Sequence, residues 1–544
     1  MQTITELQNA FPHEKDIPES IRLAEPLHQK RILINGEFIN WTGPVHTVYS
    51  QIFVKKDGQE AAPLEIGSYP LATEKEAELA LNAALQAHDY GRGEWPSMGA
   101  EGRIKALQGF TKGLKEHREE IVKLIVWEIA KSVADAEKEF DRTIEYIEET
   151  IKTVKQIHNE SSMFKVTNGF IGQMKKLPYG VVLCMGPFNY PLNETFTMLI
   201  PALINGNSVL FKPPKYGTLL FNPLLDLFKE HFPKGVVNTV YGRGRDIVPY
   251  LLQSGQVDVL ALIGSSRVAD SLKKMHPKSN RLHAVLGLDA KNAAVVLPDA
   301  DLEATVKEVI IGTLSFNGQR CTALKILFVH ADIVDKFNTM LAAAIDKLPL
   351  GMPWDKGVSI TPLAEPEKPG YLKECIDDAI AKGAKIINEA DGGGNLGHSL
   401  MKPAMLYPVN RDMKIYWEEQ FGPVIPVVAF DNPMAPVDYI TESRFGMQAS
   451  IFSEDPQKIS FYIDQMIGQL GRININVQSQ RGPDTFPFNG RKDSAENTLS
   501  VSEALSAFSV DSIVVTKQTP SNEALLHTIL TTESSKRLNN KVIF

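Results

Sequence analysis

Cysteine is scarce in this chain. Cys184, Cys321 and Cys375 are the only three in 544 residues, an odd and sparse set that excludes a disulfide framework and fits a reducing compartment. No Cys/His cluster has the spacing of a metal site, so no metal is expected. No apolar run approaches the roughly 20 residues needed to span a bilayer, and the first twenty residues, MQTITELQNAFPHEKDIPES, contain no apolar h-region. A soluble, cytoplasmic protein without membrane association is the expectation. Excess positive charge is also missing: 57 Lys and Arg against 65 Asp and Glu give a net charge of −8, which excludes attraction to nucleic acid over the whole surface. There is no repeat and no low-complexity tract, and VDVLALIGSSRVAD lacks the G-x-G-x-x-G fingerprint.

The length predicts two or three domains. Residues 1–30, polar and punctuated by Pro12, Pro18 and Pro26, suggest an arm lying on the surface. RILINGEFIN alternates about Asn35-Gly36 and predicts a hairpin. From Glu74 to about Gln156, apolar residues at three-and-four spacing predict helices. Residues 180–300 then alternate short apolar runs (GVVLCMG, NSVLFKPP, VNTVYG, VDVLALIG, NAAVVLPDA) with helical segments, the pattern of a parallel sheet covered on both faces. A second series begins near Ala323 with ALKILFVH and continues through GAKIINEA, FGPVIPVVAF, GMQASIF and GRININ. The chain is therefore expected to be α/β with two such domains. The Gly-rich DGGGNLG is read as a surface turn, because no helical pattern follows it.

Three strand ends suggest a nucleotide crevice at one sheet edge. SVLFKPPKYG places Lys212 at the end of a strand that two prolines stop. VDVLALIGSSRVAD runs a strand into Gly264, Ser265 and Ser266 at a helix start, where backbone N–H groups can hold a pyrophosphate. TVYGRGR supplies another strand turn at Gly242 and Gly244. Singly, each is an ordinary βα turn or a solvated lysine. Lys215 would attract a ribose 2′-phosphate where an acidic residue would accept from a free 2′-hydroxyl, which favours NADP while leaving NAD possible.

Cys321 lies in FNGQRCTALK, directly after Arg320. It is either an inert buried thiol or a nucleophile whose anion a positive neighbour favours. GPFNYPLN, SVLFKPPKYG, ALIGSSRVAD, FNGQRCTALK, WEEQFGPVIPV, FGMQASIF and SQRGPDTFPFNG, taken in order, resolve that choice. Together they resemble the aldehyde dehydrogenase superfamily over roughly residues 35–515, and most of all its NADP-dependent, non-phosphorylating glyceraldehyde-3-phosphate dehydrogenase branch. The resemblance implies a Rossmann-like cofactor domain (31–166 and 182–288), an α/β catalytic domain (289–478) and a small β oligomerisation extension (167–181 and 479–519). The arm 1–30 and a tail 520–544 complete the chain. A homodimer or homotetramer is expected, since exposed β segments need partners.

The resemblance makes Cys321 the catalytic thiol. Asn189 becomes the oxyanion donor, a contribution of about 3 kcal/mol for such a group. Glu419 would hold the nicotinamide ribose, with Phe421 beside the cofactor; Gln420, in place of an apolar residue, is taken as a minor departure. Cys184 is assigned to the core, and Cys375 has no evident role. Arg142, Tyr190, Arg320 and Arg481 match residues that hold the substrate phosphate, and arginine suits that task because its planar fork binds phosphate bidentately. Taken singly, each of these arginines reads as structural, Arg142 for instance pairing along its helix with Glu139 or Glu145.

One departure bears on the chemistry. The family usually carries Glu-Leu-Gly-Gly-Lys before the thiol segment, the glutamate activating water for deacylation. Here the stretch is LGLDAKN, so Gly287 stands at the glutamate position and Asp289 lies about 7 Å further along an extended strand. Three readings follow: Asp289 or another glutamate such as Glu418 acts as base; hydrolysis is slow; or the acyl group passes to coenzyme A or phosphate. The favoured expectation is oxidation of an aldehyde, glyceraldehyde 3-phosphate, to 3-phosphoglycerate. The alternatives are a coenzyme A-acylating aldehyde dehydrogenase and a non-catalytic relative.

Overall fold

The structure is a computed structural model and describes residues 3–544. Two parallel sheets organise it. The first has the order 237–239, 208–212, 181–185, 259–263, 283–287, with the short strand Ala495–Glu496 antiparallel at its edge. Strand order therefore reverses between Val181–Met185 and Val259–Ile263, and the crevice beyond the carboxyl ends at such a switch is where open α/β sheets bind ligands. All five residues of Val181–Met185 are buried, as a strand covered on both faces requires. Cys184 is fully buried there.

The second sheet runs 385–386, 404–407, 424–430, 324–330, 292–296, 448–452, 472–475, parallel except at Lys385–Ile386. The predicted strand GAKIINEA shrinks to that two-residue antiparallel edge. The helical stretch resolves into helices Glu74–His88, Ala100–Glu116, Arg118–Ile129 and Val133–Ser161. The last starts where the Ser132 side chain accepts from the Asp135 amide. Arg31–Ile34 and Glu37–Asn40 form the expected hairpin, with Asn35 and Gly36 at φ 52° and 71°, the left-handed pair a tight turn needs. Strand Ser509–Lys517 pairs antiparallel along the whole of Phe170–Pro178, joining the two segments expected to form the extension.

Two expectations need correction. The arm does not merely lie on the surface: Leu7, Phe11, Ile17 and Ile21 are all buried in the core. Burying those four side chains outweighs the polar composition around them. The Gly-rich turn is likewise packed. A Cβ at Gly397 would meet Leu7 Cβ at 2.6 Å, so the turn and the arm fit against each other. Among the described residues, no helix is long and apolar enough to cross a membrane.

Candidate active site

A cleft of about 1820 Å³ opens at the switch point and continues between the two sheets. Its walls bring together Cys321, Asn189, Lys212, Lys215, Gly264, Ser265, Glu419, Phe421, Arg142, Tyr190, Arg320 and Arg481. Gly242 is not part of the wall. A Cβ there would meet Ile247 Cδ1 at 2.7 Å, so this glycine serves packing, and Gly244 and Arg245 face the cleft instead.

The loop before Cys321 is a strained turn. Phe316, Asn317 and Gly318 have φ of 48°, 57° and 72°. The Asn317 side chain fastens it, donating to the Thr361 carbonyl (2.8 Å) and accepting from the Thr361 amide (3.0 Å). Such turns persist only where their surroundings over-determine them. Cys321 itself is half-buried, and its carbonyl accepts from Asn292 Nδ2 and Lys325 Nζ, each at 2.8 Å. Burial pushes the thiol up to about 11; the Glu194 and Glu419 charges add to the rise, and Lys325 and Arg481 oppose it. Arg320 does not activate the thiol as its place in the sequence suggests. Its Nη2 donates to the Ile311 and Gly312 carbonyls, both at 2.9 Å.

Asn189 sits between strand Val181–Met185 and helix Asn193–Ile204, and its Nδ2 donates to the Gln319 carbonyl at 2.9 Å, tying the two loops together. A buried ion pair places it. Lys131 Nζ lies 2.5 Å from Glu139 and donates to the Asn189 carbonyl at 2.7 Å. Glu139 also accepts from the Leu192 and Asn193 amides at 3.0 and 3.1 Å. Tyr190 packs beneath, its ring centroid 3.6 Å from Lys131 Nζ. Sequence reasoning missed this pair, because its members lie on a helix and the loop before it and match no motif.

On the cofactor side, Lys212 is without a carboxylate partner among the described residues; its Nζ donates to the Pro213 carbonyl, and burial pushes it down to about 8. Lys215 is exposed and lies 3.4 Å from Glu367 at the rim. Ser265 caps the helix Ser266–Met275. Glu419 is held by Lys325 (2.9 Å) and by the Ala290 amide (3.1 Å). Phe421, at φ 50°, stacks edge-on with Phe188 at 5.8 Å. A partly buried lysine with no carboxylate partner among the described residues, a helix start and a fixed carboxylate in one crevice fit a phosphate-bearing dinucleotide. Gln420 is no minor departure: it accepts from Lys291 Nζ at 2.6 Å and donates to the Lys325 and Val424 carbonyls.

The arginines converge, but with company. Arg142 grips Asp484 through Nε and Nη2 (3.1 and 2.8 Å), not the helix neighbours Glu139 or Glu145. Arg481 spends its donors on Asp484, Glu194 and the Leu499 carbonyl. Arg320 Nε is buried without a hydrogen-bond partner. Two of the three guanidinium groups, Arg142 and Arg481, are thus paired with carboxylates, Glu194 and Asp484, that sequence reasoning did not single out. At the usual base position, a Cβ on Gly287 would meet Ile263 Cγ1 at 3.2 Å and Leu499 Cδ1 at 3.3 Å, so a longer side chain has little room. Asp289 accepts from the Ser266 amide and hydroxyl at 2.8 and 2.7 Å, which holds its carboxylate at the helix start rather than at the thiol. Glu418 accepts from the Tyr371 hydroxyl at 3.1 Å.

Comparison with known proteins places this architecture. The model of the Aldehyde dehydrogenase family matches residues 59–514. The NADP-dependent glyceraldehyde-3-phosphate dehydrogenase of Streptococcus equinus is 32% identical over 448 residues, 81% of this chain and 91% of that protein. The protein of the same name from Nicotiana plumbaginifolia is 30% identical over 501 residues, 90% of this chain and 99% of its own. Among solved structures, the NADP-dependent glyceraldehyde-3-phosphate dehydrogenase from Bacillus halodurans C-125 complexed with NADP superposes with a TM-score of 0.81 at 28% identity, covering 90% of this chain and all of that one (100%).

Proposed function

This chain belongs to the aldehyde dehydrogenase family and is an enzyme that oxidises aldehydes, and on that premise we propose that it oxidises a short phosphorylated aldehyde, glyceraldehyde 3-phosphate, to 3-phosphoglycerate with NADP. The observation that carries the reading is the meeting of Cys321, Asn189 and the orphaned Arg320 Nε in one cleft with the Lys212 ammonium. Cys321 Sγ, deprotonated, bonds to the aldehyde carbon as the carbonyl π pair moves onto oxygen. Asn189 Nδ2 and the Cys321 backbone N–H then hold that oxygen. NADP, when bound, supplies the acceptor for the hydride that leaves the aldehyde carbon. Lys212, Lys215, Ser265 and Glu419 are the groups that would hold it. Arg320 Nε would take a phosphate oxygen, while Arg142 and Arg481 shape the pocket with Asp484 and Glu194. The extension sheet is proposed to pair copies into a homodimer or homotetramer.

Deacylation is expected to be slow. Gly287 offers no proton acceptor, and Asp289 is engaged elsewhere. That same glycine favours one second reading, transfer of the acyl group to the thiol of coenzyme A. Stopped-flow NADPH formation with glyceraldehyde 3-phosphate separates the two. A burst stoichiometric with Cys321, followed by a slow steady state that added coenzyme A leaves unchanged, supports hydrolysis. A steady state that rises with coenzyme A supports acyl transfer. No burst with this aldehyde, alongside one with an unphosphorylated aldehyde, overturns the substrate assignment.

A further inference from the structure

A second pocket of about 110 Å³ lies away from the catalytic cleft. It is bounded by the start of helix Ala100–Glu116, the end of helix Val133–Ser161, strand Phe170–Pro178 and the returning C-terminal tail. Its charged side chains are all cationic: Arg103, Lys175, Lys176, Lys536 and Arg537 line it beside His158, whose imidazole burial pushes toward the neutral form, and no Asp or Glu does among the described residues. Only Lys176 has an acidic partner, Asp511 at 3.1 Å.

Arg103, the buried cation of this pocket, has no acidic partner among the described residues, whereas several buried cations elsewhere do. Lys131 has Glu139, Lys325 has Glu419 and Arg481 has Glu194. Arg103 is buried, yet its Nε donates only to the Ile204 carbonyl (2.7 Å) and its Nη1 to the carbonyls of Trp95 and Pro96 (3.3 and 3.5 Å). Arg537 brings a second guanidinium to the same Pro96 carbonyl at 3.3 Å. Burial pushes Arg103 down to about 10, and Arg537 adds to the fall. Half-buried Lys175 reaches only the Asn539 carbonyl, at 3.5 Å. Lys536 forms no ion pair among the described residues. Neutral carbonyls do not compensate the buried Arg103 guanidinium, since a charge withdrawn from water needs a counter-charge, and the partly buried Lys175 and Arg537 with the exposed Lys536 add positive charge beside it. A helix end adds to the field. Gly99, at φ +85°, precedes helix Ala100–Glu116 without a side-chain cap, and both Gly99 and Ala100 face the pocket.

We propose that this pocket binds a small phosphate-bearing anion that bridges the C-terminal tail, through Lys536 and Arg537, to Arg103 and Lys175 on the body of the protein. The volume suits inorganic phosphate or the phosphoryl end of a small monoester, not a whole dinucleotide. Bound there, the anion would fasten residues 535–539 against helix Ala100–Glu116.

Calorimetric titration of the full chain with inorganic phosphate and with glycerol 3-phosphate, at constant ionic strength, tests this. Wild type is compared with Lys536→Glu, whose side chain holds nothing else in place, and with Lys175→Ala. The expected result is saturable binding weakened at least roughly tenfold in both variants, with phosphate-dependent hydrogen-exchange protection of residues 533–544 in wild type only. In the binding component that both variants weaken, tighter binding of the ester identifies an organic phosphate as the ligand and equal binding identifies the free ion, and both support the site; a component that neither variant changes belongs to the catalytic cleft. Isotherms that are the same in wild type and both variants, or no saturable binding of either probe, overturn it. None of these residues lines the catalytic cleft, so the NADPH burst stays intact in both variants. Loss of this site and failure of the proposed reaction are therefore separable.

Discussion

At Cys321 burial first, and the Glu194 and Glu419 charges after it, oppose reactivity in the resting protein. A thiol pushed up to about 11 is thiolate in only about one molecule in ten thousand at pH 7. Alkylation by iodoacetamide is therefore expected to rise about tenfold per pH unit through neutrality and to level off only near pH 11; a plateau near pH 7 would contradict this. Glu194 is one cause of the rise. Its carboxylate repels the thiolate and pairs with Arg481, whose charge favours the anion. Glu194→Gln removes both effects, so its alkylation rate at pH 7 should be severalfold higher than wild type; an unchanged or lower rate would refute this role. Cys321, Asn189 and the arginines were legible in the sequence because ordered motifs carry them. Glu194 and Asp484 were not, because Glu194 meets Arg481 across 287 residues and Asp484 meets Arg142 across 342, and such pairings leave no local pattern.

At the scale of the element, the thiol loop is set by one glycine. A Cβ at Gly318 would stand 2.7 Å from the Thr313 carbonyl oxygen and 2.9 Å from that of Gly422, and the residue has φ +72°. Both contacts are backbone, so neither can swing aside. Gly318→Ala is expected to cost about 2 kcal/mol or more, read as a lower midpoint in urea, and to slow acylation by misplacing Cys321. A variant as stable as wild type would show that the turn relaxes freely. The sequence marked a turn at Gly318-Gln319, and strand alternation marked both sheets. It did not show that the polar arm is anchored, because Leu7/Phe11 and Ile17/Ile21 are two isolated pairs at four-residue spacing, six residues apart and interrupted by Pro12 and Pro18, and do not make a sustained period. Their burial depends on tertiary partners such as the turn at Gly397.

For the whole molecule, the two parallel sheets place the dinucleotide side and the thiol side of one cleft, and the β extension leaves both for the surface. That extension exposes Met174, Ile513, Val514 and Val515, at 42%, 59%, 52% and 52%, a contiguous apolar strip of the kind that pairs copies. Ile513→Glu with Val515→Glu, two positions on one face of the strand, should shift sedimentation toward the monomer. An unchanged oligomer would move the interface elsewhere. The central claim, that Cys321 carries the acyl group and that Gly287 leaves it there, is tested most directly by acid quenching the enzyme during turnover with glyceraldehyde 3-phosphate and NADP, then sequencing its peptides by mass spectrometry. The account predicts a phosphoglyceroyl thioester on Cys321, present at near-stoichiometric level and absent without NADP. NADPH formation with Cys321 unmodified, or an acyl group found on Cys184 or Cys375, would contradict it.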